Sequence, residues 1–243
     1  MKHFHGTPIG VSRIEAARFF RRRYFLIPWL HPCDLYLAAE ISLGFCFDNS
    51  AFSLWKSGRS MQKISDWDGY RRLVLEWHYH PRYEFCLIPD LIDGEEREND
   101  ELLNRWLDYG VKFSVPVWHL HESLSRLINL SKSSDMVAIG SSGDFKTPGS
   151  PAWSKRMTQA MKVICVEGKP RCRIHGLRML AGKIVTKYPF YSGDSTSATQ
   201  NASNVIKGTY HPVHKWQKLE IVSWKIESHQ SPGVFINGTN IHD

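Results

Sequence analysis

The chain has no Cys-x-x-Cys pair, no Gly-x-Gly-x-x-Gly fingerprint, no internal repeat and no low-complexity tract. It also lacks any apolar run near the ~20 residues of a membrane span. Each absence removes a class. Without Cys-x-x-Cys, a zinc site of the usual spacing is not expected. The five cysteines, at 33, 46, 86, 165 and 172, are odd in number and scattered, which argues against a disulfide framework. Cys46 and Cys86 sit inside apolar runs and read as core. The opening "MKHFHGTPIG" has no apolar signal-peptide core, so a cytoplasmic protein with no membrane partner is expected. After the first apolar run stands "HGTPIG" rather than a phosphate-binding glycine loop, which sets the doubly wound open sheet behind the alternative below.

What is present is a core-building chain with a basic balance. Hydrophobic residues make up 42% of the 243, enough for a sizeable core. Lys and Arg outnumber Asp and Glu by 31 to 24, for a formal charge of +7, which favours a polyanionic partner without requiring one.

Short apolar, β-branched or aromatic runs alternate with longer amphipathic stretches. The runs are 2–6, 24–29, 44–49, 83–90, 112–120, 136–142, 171–178 and 189–195, read as strands. The stretches between them read as helices, among them "AWSKRMTQAMKVICVEG", ending at Glu167-Gly168 before Pro170. Eight strands in alternation with helices predict a (β/α)8 TIM-type barrel, α/β in class and single-domain over 1–243, closed by a C-terminal helix and tail from about residue 215.

In such barrels the chemistry sits where the strands end. Here the ends carry Asp48-Asn49, then Asp90, then His119 and His121, then Gly140-Ser141-Ser142, then His175, then Asp194. Charged groups rarely end apolar strands without a partner or a role. Each alone has an ordinary reading: Asp48 and Asp194 as helix caps, His175 as a satisfied core histidine. Gathered on one rim, they predict a site. Paired carboxylates suit substitution at a sugar anomeric carbon, one attacking and another moving a proton, with no cofactor. An Asp–His set also suits a metal-dependent or glycosidic hydrolase, which stays open at this point.

The motifs resemble those of the tRNA-guanine transglycosylase superfamily, and look most similar to the short phage-type branch implicated in placing 7-deazaguanines in DNA. The resemblance covers roughly residues 3–205 and rests on ordered strand-end motifs: "FDNSAF", "IPDLIDG", "VPVWHLHES", "AIGSSGDF", "IHGLRML" and "GDSTSATQN". It implies base exchange on DNA through a covalent aspartyl-glycosyl intermediate, with an RNA-acting enzyme as the alternative. Asp194 would be the nucleophile and Asp48 the general acid and base. Phe52 would stack on the base and His175 cover its other face. Asp90, beside Asn49, would read the N1–H and amino edge, and His119, Gly140 and Ser141 the carbonyl edge. The partners implied are DNA, with a flipped or single-stranded guanosine, and a base such as 7-cyano-7-deazaguanine, in a host cytoplasm if a phage encodes the chain. The three-cysteine, one-histidine zinc set of the tRNA enzymes is not matched here, and His119 stands where the family has glutamine.

Basic residues after strand ends are the candidates for phosphate contact: Lys56, Arg59, Lys146 and Arg178, with His211, His214 and Lys215 further along. The run Arg21-Arg22-Arg23 precedes the second strand, on the far side of the barrel, and reads as a helix C-terminal charge set.

Overall fold

The computed structural model describes residues 1–8, 10–59, 61, 63–201 and 214–236. Among the described residues eleven strands form: β1 (Lys2–Gly6), β2 (Tyr24–Pro28), β3 (Gly44–Asp48), β4 (Tyr83–Leu87), β5 (Ser114–Val115), β6 (Val117–His119), β7 (Met136–Gly140), β8 (Cys165–Val166), β9 (Lys169–Pro170), β10 (Arg173–Gly176) and β11 (Ser192–Ser195). Nine build one parallel sheet in the order β5-β4-β3-β2-β1-β11-β10-β7-β6. Its two end strands are consecutive in the chain, separated by Pro116 alone. The expected fifth strand is thus two pieces. Proline has no N–H for the ladder, so β5 pairs with β4 below the break and β6 with β7 above it. The result is a nearly closed, barrel-like parallel sheet, with helices between its strands, compatible with an α/β barrel.

Period-2 alternation decides what faces inward. Phe4, Leu26, Cys46, Phe85, Leu87, Val115, Val117 and Ala138 pack together inside the sheet. Their neighbours Phe25, Ile27, Phe45, Phe47, Trp118 and Ile139 face the helices in two outer clusters. A residue two positions beyond an interior one shares its face. Asp48 therefore follows Cys46, His119 follows Val117, and Gly140 follows Ala138 to one end of the interior.

The helix expected to reach Gly168 ends at Ile164. Cys165–Val166 and Lys169–Pro170 pair antiparallel instead. Glu167 (φ 50°) and Gly168 (φ 78°) both hold left-handed backbone, the requirement of a two-residue type I′ turn. The closing helix spans Lys215–Glu227 as expected. Arg23 anchors it through Glu220 (2.7 Å) and Glu227 (2.8 Å), so the third arginine of the basic run is a fold contact. Arg23 also donates to Phe19 O at 3.3 Å, at the end of the first helix. Among the described residues, no helix is long and apolar enough to cross a membrane.

One buried network ties the fold to its strand ends. Glu122 accepts from Arg126 Nη1 (2.7 Å), from the His119 N–H (2.9 Å) and from Asn99 Nδ2 (2.9 Å). Asn99 in turn accepts the Leu91 N–H (2.7 Å) and so holds the loop after β4. Glu122→Ala leaves the buried Arg126 without this carboxylate and is expected to cost about 3–5 kcal/mol in chemical denaturation. A loss below about 1 kcal/mol, the scale of an exposed pair, would contradict this role.

Candidate active site

A cavity of ≈ 460 Å³ opens at the end of the sheet where Asp48, Asp90, His119, Gly140 and Asp194 emerge. Asn49, Phe52, Lys56, Ser141 and Arg178 line it too, with Leu26, Leu87 and Leu177. The three carboxylates predicted from β3, β4 and β11 are therefore brought into one space.

Asp194 is 3% exposed. Its Oδ1 accepts from the Arg178 backbone N–H at 3.0 Å and from His175 Nε2 at 3.3 Å. That arrangement puts the ring proton on Nε2 and lets His175 Nδ1 accept from the Ser192 hydroxyl at 2.8 Å. Oδ2 has no protein hydrogen bond among the described residues.

Asp48 is half-buried at the end of β3. Burial, and next the charge of Asp194, push its carboxyl up to about 7, against the opposing Ser50 N–H. Asp48 thus exchanges its proton near neutrality, as a general acid and base must. The chain leaves β3 through Ser50, whose φ of 62° is left-handed, and enters the helix Ala51–Lys56 that presents Phe52.

Asp90 is held from both sides. Its Oδ1 accepts from Asn49 Nδ2 at 2.6 Å, and its Oδ2 meets His119 Nε2 at 2.7 Å. Each oxygen keeps a second lone pair for a ligand donor. Asn49 also donates to Ile88 O (2.7 Å) and accepts from the Ala51 N–H (2.9 Å), so both its donor and its acceptor are engaged.

These contacts revise several expected roles. His175 is fully buried, edge-on to Phe4 and Phe85, and lies beneath Asp194 instead of covering a base. It does so because it shares the inward face of β10 with the interior core. Leu177, two residues on, lines the cavity in its place. Asn49 positions Asp90, and the Nε2 of His119 is bound to the same carboxylate. Gly140 is the close approach this packing needs: a Cβ there would stand 2.7 Å from His119 Nδ1. Ser141 is buried, its hydroxyl accepting from Trp153 Nε1 at 2.9 Å.

Of the basic candidates, Lys56 lines the cavity and Arg59 an adjoining one, both exposed. Lys146 is exposed on the loop after β7 and lines neither. Arg178 is exposed at the mouth, but its guanidinium lies 3.7 Å above the Phe52 ring centroid, so it stacks there in place of standing free on a rim. Its φ of 58° turns the backbone N–H onto Asp194. His214 is exposed, His211 lies outside the described residues, and nothing is described of the Lys215 side chain.

The leucines that wall the cavity carried no signal in the sequence, since an apolar residue at a strand end reads as core. The His175–Asp194 and His119–Asp90 pairs had one: a histidine on the strand next to an acid's, at the same rim. Among the described residues, no three His, Cys, Asp or Glu side chains gather as a metal site. No protein-family model matches the chain, and no curated protein sequence matches it.

Proposed function

We propose that the protein is a base-exchange transglycosylase, folded as a single-domain (β/α)8 barrel, that replaces guanine in DNA with a 7-deazaguanine. The observation that carries this reading is the pairing of Asp194 with Asp48 in one cavity. Asp194 sits as the acceptor of two N–H groups with one oxygen free, while Asp48 holds a proton near neutrality. Two carboxylates with two environments serve two roles.

Asp194 Oδ2 attacks C1′ of the target nucleotide, and the bond from C1′ to guanine N9 breaks. The bond's electron pair goes to the base, and Asp48 gives it a proton. The incoming 7-deazaguanine yields its N9 proton to the Asp48 carboxylate and attacks C1′, which releases Asp194. Protons and electrons balance, and no cofactor takes part. Asp90 suits guanine-type bases, whose N1–H and 2-amino groups are donors. A stacked base is out of reach, so the nucleotide enters flipped or single-stranded. Incubation with DNA and 7-cyano-7-deazaguanine, followed by mass spectrometry of the released nucleosides, tests the reading. Incorporation into neither DNA nor RNA would overturn it.

A base stacked on Phe52 must displace the guanidinium of Arg178. Arg178→Ala is therefore expected to bind free 7-cyano-7-deazaguanine more tightly in calorimetry, by about 2- to 30-fold, the worth of one cation–π contact. Weaker binding would show that the guanidinium holds the base.

A further inference from the structure

A second cavity, of ≈ 330 Å³, opens beside the first. Ala51, Asp90 and Ile92 line both, so the two share a wall. The helix Ala51–Lys56 separates them, with Phe52 on the first cavity and Trp55 on the second.

Trp55 is 45% exposed, an unusual setting for so large a ring. It is nevertheless fixed. Its indole N–H donates to Asp93 Oδ2 at 2.6 Å, and its ring lies 5.6 Å from Phe52 at 32°. A solvent-facing indole pinned in this way is a preorganised stacking surface. The charged residues that line its cavity are Arg59, Asp90, Asp93 and Glu98. Asp93 and Glu98 line the cavity, the first bonded to the indole and the second to the Glu95 N–H at 2.8 Å. Carboxylates repel a phosphate placed inside but accept from the N–H edge of a nucleobase. Lys56 and Arg59 are exposed, one on each cavity, and neither enters an ion pair among the described residues.

We propose that the second cavity receives the nucleobase adjacent to the exchanged guanosine, stacked on Trp55, with the linking phosphate on Lys56 and Arg59. The proposal rests on the base-exchange reading for the occupant of the first cavity. It adds a flanking-nucleotide subsite that makes a polynucleotide, and not a free nucleoside, the preferred substrate.

Fluorescence anisotropy with two single-stranded DNA oligonucleotides tests it. Both carry one guanosine, and in the second the positions flanking it are abasic. Trp55→Ala is expected to weaken binding of the intact strand about 5- to 150-fold, the loss of one base–aromatic stack, and to leave the abasic strand unchanged. Trp55→Phe should keep most of the affinity. Unchanged binding of free 7-cyano-7-deazaguanine by Trp55→Ala reports an intact first cavity. Equal affinity of wild type and Trp55→Ala for the intact strand overturns the proposal. So does an equal loss on the abasic strand, or a wild type that binds neither. Base exchange by the wild type on the intact strand is scored separately: its absence beside Trp55-dependent binding overturns the base-exchange reading and leaves the subsite standing.

Discussion

Replacing Asp194 with alanine is expected to abolish base exchange, by about 10⁴-fold or more, while the protein stays folded. The size of the effect follows from the step removed. Without a carboxylate at the end of β11, the nucleophile of the proposed step is gone. Folding should survive because only two N–H donors are deprived of their acceptor. Arg178 lines the cavity, and Asp194, which also lines it, is what covers the buried His175 Nε2, so the shorter side chain should let water reach both donors. Removal of the charge also relieves its repulsion of Asp48. Asp194→Asn is the sharper control, since it keeps shape and an acceptor oxygen but not the nucleophile. A purely positioning role would let the asparagine retain activity. Single-turnover exchange on labelled DNA separates the two.

Asp48→Asn is expected to lower exchange about 10²–10⁴-fold, the usual worth of a positioned acid and base. It should also do something a structural residue does not. Burial and the neighbouring charge of Asp194 raise the folded carboxyl to about 7, above its unfolded value of 3.8. A group raised on folding contributes stability that is fully present below the unfolded value and is lost as pH rises through the folded one. The native protein should therefore lose stability between about pH 4 and pH 7, by a few kcal/mol at most. Asparagine cannot ionise, so the variant should match the parent near about pH 4 and be more stable near about pH 8. Activity and stability move in opposite directions. Urea denaturation at the two pH values checks this, and a variant less stable than the parent at the higher pH would contradict the raised carboxyl. The wild-type rate of base release should likewise fall as pH rises through about 7, because the proton needed by the leaving guanine is gone.

Much of this was legible in the residues. Strand after strand, an apolar run ends in a residue of different character: Phe47 in Asp48, Ile88-Pro89 in Asp90, Gly193 in Asp194. The period-2 rule then puts Asp48 and Asp194 on the inward face, while Asp90, in phase with the outward Cys86 and Ile88, reaches the cavity only because β4 has ended at Leu87. What a single chain does not display is which polar group a neighbour satisfies. Asn49 and His119 both looked like base readers, yet each spends a hydrogen bond on Asp90. His175 looked like a lid and is a buried support, because the strand next door supplies Ser192 and Asp194 as its partners. Arg178 looked like a phosphate contact, and only the approach of β10 to the helix after β3 shows its stack on Phe52. The split at Pro116 and the turn at Glu167-Gly168 had local signals, a proline inside a strand and a residue before glycine, that were outweighed by the longer patterns around them.

The central claim is a bond between Asp194 and a nucleotide. It is tested by acid-quenching the wild-type protein with a guanosine-containing DNA oligonucleotide and measuring intact mass, then mapping the adduct by proteolysis. The predicted result is a species heavier by the oligonucleotide less guanine, on the peptide bearing Asp194, and absent from Asp194→Ala. An adduct of the same mass on another residue, or one that persists in Asp194→Ala, would contradict the account.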